Sequence, residues 1–190
     1  MTDYFALFGL QRRPWLDLEA LKHRFHELAA MHHPDASGDT AKFAEVNAAY
    51  QLLRDPAARL RHLLELEYTT EAGTEPQIPA PLAERFMEVA TIEREVHVFL
   101  HEQSTASSAV GRSLLASERF AIEHDIQKIV DELELDWSRT DQLLRVESSM
   151  WEQRTAETPH RLALLQQEFA YLAKWLKQLR ERLTQLESIA

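Results

Sequence analysis

The sequence predicts an all-helical protein, and three observations predict it. Only four of the 190 residues are glycine, while Leu, Ala, Glu, Gln and Arg, residues that favour helices, recur throughout. Apolar residues return at steps of three and four in segment after segment, the spacing that lines one face of a helix. The second half of the chain carries no strand signal.

The elements follow in order. Asp3 to Leu10 is a compact apolar start, read as a short helix ending at Gly9. Gln11-Arg12-Arg13-Pro14 is a loop, and Asp17 is placed to cap a helix in which Leu18, Leu21, Phe25 and Leu28 form the inward face. Lys22, His23, Arg24 and His26 lie between them and make the outward face cationic, which by itself suits a solvated surface as well as a docking one. Pro34 disfavours helical backbone at His33, so this helix ends there. Gly38 permits a turn, and Asp39 or Thr40 caps the next helix, with Phe43, Val46, Tyr50 and Leu53 facing the first. Asp55-Pro56 reads as N-cap and N1 of a further helix carrying Leu60, Leu63 and Leu64. Thr69 to Pro81 is rich in breakers without helical period. The expected organisation is thus a first domain over 1–70, a linker over 71–81 and a helical bundle over 82–190.

Three helical regions are expected in the bundle. One runs from about Leu82 to Glu102 with Phe86, Val89, Val96 and Phe99 on one face; the second begins after Ser104 to Ser108; the third starts near Trp137 and is interrupted at Thr158-Pro159. Beyond that, Leu162, Leu165, Phe169, Leu172, Leu176, Leu179, Leu183 and Leu186 alternate steps of three and four, a coiled-coil seam. Such a seam either pairs two chains or buries itself on the other helices. The second is favoured because those helices also need a partner, which gives an elongated antiparallel three-helix bundle and a monomer.

His33-Pro34-Asp35 stands at the tip of the first helical hairpin. Its surroundings give it meaning: Asp3-Tyr4-Phe5-Ala6-Leu7-Phe8-Gly9-Leu10 upstream, Phe43 to Leu53 downstream, and then Asp55-Pro56 with Arg59, Leu63 and Leu64. This order and spacing resembles the J-domain of Hsp70 co-chaperones, and the opening and the Asp55-Pro56 run look most like HscB, the J-protein of bacterial iron–sulfur cluster assembly.

The resemblance implies a non-enzymatic co-chaperone. His33, Pro34 and Asp35 would act on a partner Hsp70 with Asp35 engaging an arginine of it, and Lys22 and Arg24 would meet an acidic surface of its ATPase domain. The C-terminal bundle would dock an iron–sulfur scaffold protein of the IscU kind through Phe86, Met87 and Glu88 on its first helix and Tyr171 on its last. Ala90, Thr91 and Arg94 depart from the larger apolar and acidic residues of that family surface. Phe86 also suits a core position. A J-protein with a different client, or a coiled-coil adaptor, is the alternative.

Composition sets the outer bounds. The chain has no cysteine, so a thiolate metal site, a cysteine-held cluster or a disulfide framework is not expected, and no cofactor is. A net charge of −10 opposes non-specific nucleic-acid binding. No apolar run approaches the roughly 20 residues of a membrane span and no signal-peptide pattern opens the chain, so a soluble cytoplasmic protein is expected. His23, His26, His32 and His33, with Glu27 and Asp35, lack the spacing of a metal site. His33 and Asp35 lack the nucleophile and oxyanion donors that an acid–base pair needs around it.

Overall fold

The computed structural model describes residues 2–33, 39–68, 82–105 and 108–189. Its helices are α1 (Tyr4–Leu7), α2 (Leu18–His32), α3 (Thr40–Arg54), α4 (Pro56–Glu67), α5 (Ala83–Thr105), α6 (Ala109–Ser149) and α7 (Thr158–Glu187), with one 3-10 turn at Trp151–Gln153. No strand occurs among the described residues, and no helix there is long and apolar enough to cross a membrane. The expected linker over 71–81 lies outside the described residues, as do Pro34 and Asp35.

Packing divides the chain into two compact units that are not contiguous in sequence. One joins residues 1–76 with 141–169; the other joins 77–140 with 170–190. The last turns of α6 and the first of α7 thus belong with the N-terminal helices.

In the first unit, Asp3 caps α1 by accepting from the Phe5 and Ala6 N–H groups. Gly9 ends the helix at φ +65°. The Leu10 N–H then bonds to the Phe5 carbonyl at 2.9 Å and the Gly9 N–H to that of Ala6 at 3.0 Å, a paired closure that needs left-handed backbone at Gly9. Asp17 caps α2 and Asp39 caps α3 as expected. Asp55 closes α3 and opens α4, with Pro56 in the first turn. Along α2, Leu21 and Leu28 are buried, and the half-buried Phe25 ring stacks on Tyr50 at 4.2 Å. Leu18, expected inside, is 51% exposed, because the helix begins there and its first turn faces solvent.

Two buried polar residues hold this unit. Arg59 donates from Nε to the Pro14 carbonyl at 2.9 Å and from a terminal nitrogen to the Leu53 carbonyl at 2.6 Å, tying α4 to the loop before α2 and to the end of α3. Burial pushes its pKa down to about 10, partly opposed by Asp141 and Asp55, so it stays charged at neutral pH. His62 Nε2 accepts the Tyr4 N–H at 3.3 Å, satisfying a helix-start donor that Asp3 leaves over. The loop before α2 also meets α6: Arg145 lies 4.3 Å over the Trp15 ring, and the Trp15 N–H points to the Ser148 hydroxyl at 3.4 Å. Glu67 pairs with both Arg12 and Arg154.

The second unit has an apolar core of Val89, Ile92, Val96 and Phe99 from α5, Ile126, Val130 and Leu133 from α6, and Leu172, Trp175, Leu179 and Leu186 from α7. Every member of the α7 seam except the half-buried Leu183 is buried within the single chain, Leu162, Leu165 and Phe169 in the first unit and the rest in the second. Two boundaries differ from expectation. No helix starts at Trp137, because α6 runs through without a break. Asp136 and Thr140, which suit a helix start, are absorbed: the Thr140 hydroxyl donates back to the Asp136 carbonyl at 2.9 Å, and the Asp136 carboxylate takes Arg85 and Arg139. The interruption falls over residues 150–157, and Thr158-Pro159 opens α7, with Pro159 in the first turn where its missing N–H costs nothing. Phe86, expected on the inward face, is 42% exposed.

Candidate functional site

The hairpin of α2 and α3 carries the first candidate surface. His33 is the C-cap of α2 at φ −61°, ψ 133°, the extended backbone that a following proline requires. It is exposed, and its ring stands edge-on to Phe43 of α3, centroids 5.5 Å apart at 75°. Phe43 therefore steadies His33 from the opposite helix, and the stacking of Phe25 on Tyr50 holds the same two helices together lower down. Phe43 suited only a core position in the sequence; its edge contact depends on where the turn returns the chain.

The two cations proposed beside this tip differ. Lys22 is exposed and has no ion pair among the described residues. Arg24 is half-buried: its Nε donates to the Phe8 carbonyl at 3.2 Å and a terminal nitrogen to Glu27 at 2.7 Å. That hydrogen bond, with the charges of His23 and Arg24, holds the Glu27 carboxyl below the usual range. Arg24 thus braces the closing turn of α1, while Lys22 projects its charge outward. Met31 and Leu18 add exposed apolar surface to α2. Among the described residues no three His, Cys, Asp or Glu side chains are grouped to hold a metal ion.

The second candidate surface lies on the bundle, and its four proposed residues fall on two flanks of α5. Towards α7, Phe86 and the half-buried Tyr171 both meet the buried Trp175, at 6.4 and 5.4 Å between ring centroids. Trp175 was not singled out in the sequence because it lies beside the leucine seam, not on it. Towards α6, Met87, 62% exposed, and Glu88 line a groove. Glu88 is held at 2.7 Å by Arg85, which also pairs with Glu132 and, at 2.9 Å, with Asp136. These carboxylates, Glu88 foremost, raise the Arg85 pKa.

Residues 3–62 match the DnaJ domain family. Over nearly its whole length the chain is also similar to solved structures. Chaperone HscB from Vibrio cholerae is 21% identical with a TM-score of 0.60, the match covering 97% of this chain and 99% of that one. The human co-chaperone protein HscB is 18% identical with a TM-score of 0.55, covering 95% and 81%. Residues 3–62 therefore form a DnaJ domain, carried in a chain with the all-helical HscB fold.

Proposed function

We propose that this protein is a co-chaperone without catalytic chemistry of its own: its J-domain stimulates ATP hydrolysis by a partner Hsp70, and its C-terminal helices present an iron–sulfur cluster scaffold protein as client. The observation that carries the reading is His33, exposed at an extended helix end within the DnaJ-domain match and followed in sequence by Pro34 and Asp35. A rigidly presented tip raises a partner's hydrolysis rate only by binding its hydrolysis-competent conformation better than its resting one, since equal affinity for both shifts nothing. In this reading His33, Pro34 and Asp35 supply that preference. Lys22 and, to a smaller degree, the internally bonded Arg24 steer encounter with an acidic surface. The HscB-like fold and the exposed Phe86 and Met87 support the client half of the reading. The protein acts as a monomer in the cytoplasm, its α7 seam occupied internally.

The test is single-turnover ATP hydrolysis by the partner Hsp70. His33→Gln and Asp35→Asn should each abolish stimulation with helical circular dichroism and Tm unchanged, because His33 is exposed and carries little of the core. Retained stimulation in both variants overturns the mechanism.

A further inference from the structure

We propose that the far end of the bundle holds a binding site for a small monocarboxylate with an aliphatic body, and that Arg119 of α6 receives its carboxylate. The site is separate from both surfaces described above and independent of the Hsp70 and client readings. A cavity of about 420 Å³ opens there between the last turns of α5, the early turns of α6 and the end of α7. The buried Phe99 and the half-buried Leu100, Leu115 and Ile189 wall it, and the exposed Ala116 stands at its rim.

Arg119 occupies a position where the pattern of the helix calls for an apolar residue. Ile122, Ile126, Val130 and Leu133 follow it at steps of three and four, and all are buried. The Arg119 side chain is itself only 13% exposed. Its donors are nonetheless poorly used among the described residues. Nε is buried without an acceptor, a terminal nitrogen reaches the Leu186 carbonyl at a long 3.4 Å, and Glu123 stands 3.6 Å from Nε, beyond hydrogen-bond reach. The Phe120 ring, 4.9 Å from the guanidinium carbon, covers a face of the group and accepts none of its N–H bonds in the plane. Arg161 shows the satisfied arrangement, with Glu147 accepting at 2.7 and 3.1 Å. An N–H kept from water and left unpaired costs stability, which an arriving acceptor restores.

The guanidinium selects the ligand's head and the walls its body. A carboxylate matches the planar N–H fork of arginine through two parallel bonds, and Nε with one terminal nitrogen forms such a fork. Ser104 and Gln103, the other polar groups at the cavity, donate to backbone, to the His101 carbonyl at 2.7 Å and the Ile189 carbonyl at 3.4 Å, so the walls favour a hydrocarbon body. Binding displaces Glu123 from beside Nε, an exchange of one carboxylate for another that adds burial of the ligand's chain. The larger groove between α6 and α7, about 740 Å³, offers no such donor, because Arg180 pairs with Glu134 and Lys177 with Glu181.

Calorimetry with decanoate below its micellar concentration tests the assignment, and one decanoate should bind per full chain. Decanol, which keeps the chain and loses the charge, should bind at least about tenfold more weakly, as should acetate, which keeps the charge and loses the chain. Arg119→Met should weaken decanoate binding at least about tenfold, and Glu123→Gln, which removes the competing carboxylate, should tighten it about threefold. A Glu123 that served only as the structural partner of Arg119 would give no such gain. If Arg119→Met lowers helicity, Ala116→Trp, which narrows the rim from an exposed position, takes its place with the same loss expected. A wild-type chain that does not bind decanoate, decanol bound as tightly as decanoate, several decanoates per chain, full affinity in Arg119→Met or Ala116→Trp, or no gain in Glu123→Gln each overturns the site.

Discussion

The two packing units are held by different chemistry. The first unit closes around buried polar groups, Arg59 on two carbonyls and His62 on a helix-start N–H, in addition to its apolar residues. The bundle unit closes around an apolar seam, at whose margins Arg85, Arg180 and Arg182 join one helix to another. A seam built from interchangeable aliphatic contacts tolerates changes of shape. A keystone built from hydrogen bonds tolerates none, because each lost donor strands an acceptor away from water. On the proposed function, the unit that carries His33 is the one that uses keystones.

The sharpest way to break this contrast is at Arg59. Arg59→Met keeps much of the volume and removes both bonds to Pro14 and Leu53; charge-assisted bonds contribute about 1.5–3 kcal/mol each, so a loss of about 4 kcal/mol is expected. Chemical denaturation should show it, and hydrogen exchange should place the lost protection in α2 to α4. A loss under about 1 kcal/mol would mean that Arg59 is not a keystone.

Leu133, fully buried in the bundle core, supplies the next largest effect. Leu133→Ala should cost about 3 kcal/mol, whereas Leu133→Met should cost less than about 1.5 kcal/mol because volume is nearly conserved. A methionine as damaging as the alanine would show that the seam is as exacting as the keystones.

The smallest expected effect is the dependence on pH. Burial holds the His62 imidazole below its ordinary pKa, with Arg12 adding to this and Asp3 and Glu65 opposing it. As the pH falls through about 6.5 the unfolded chain takes up the proton first, so stability is complete above that value and declines below it, by at most about 1.4 kcal/mol per pH unit. Protonation also removes the acceptor that serves the Tyr4 N–H. Thermal melts between pH 7.5 and 5.5 should fall for the wild type and flatten in His62→Gln. An equal fall in both would assign the dependence to other groups.

What could be read beforehand followed the same division. The α7 seam, the Asp caps of α2, α3 and α4 and the Gly9 closure were legible because each depends on residues near one another in sequence. The bonding role of Arg59 and the place of Trp175 were not, since their partners come from distant segments or from a helix face beside the periodic one. The continuity of α6 through Trp137 was not legible, because Arg85, which holds Asp136 there, comes from a distant segment. The proposed client residues were named as one set, and the structure distributes them over two flanks of α5, because which flank each occupies depends on where α6 and α7 lie.

The joint at Asp55 has a consequence for chain length. One residue ends α3 and begins α4, its carboxylate accepting from the Ala58 N–H at 3.0 Å while Pro56 fixes the next φ. Such a corner has no slack in which to store an insertion. Adding one residue there would rotate α4 by about 100° about its axis and carry Arg59 away from Pro14 and Leu53. Relatives and designed variants of this chain are therefore expected to keep the length of this corner and, at Asp55, a side chain able to cap a helix.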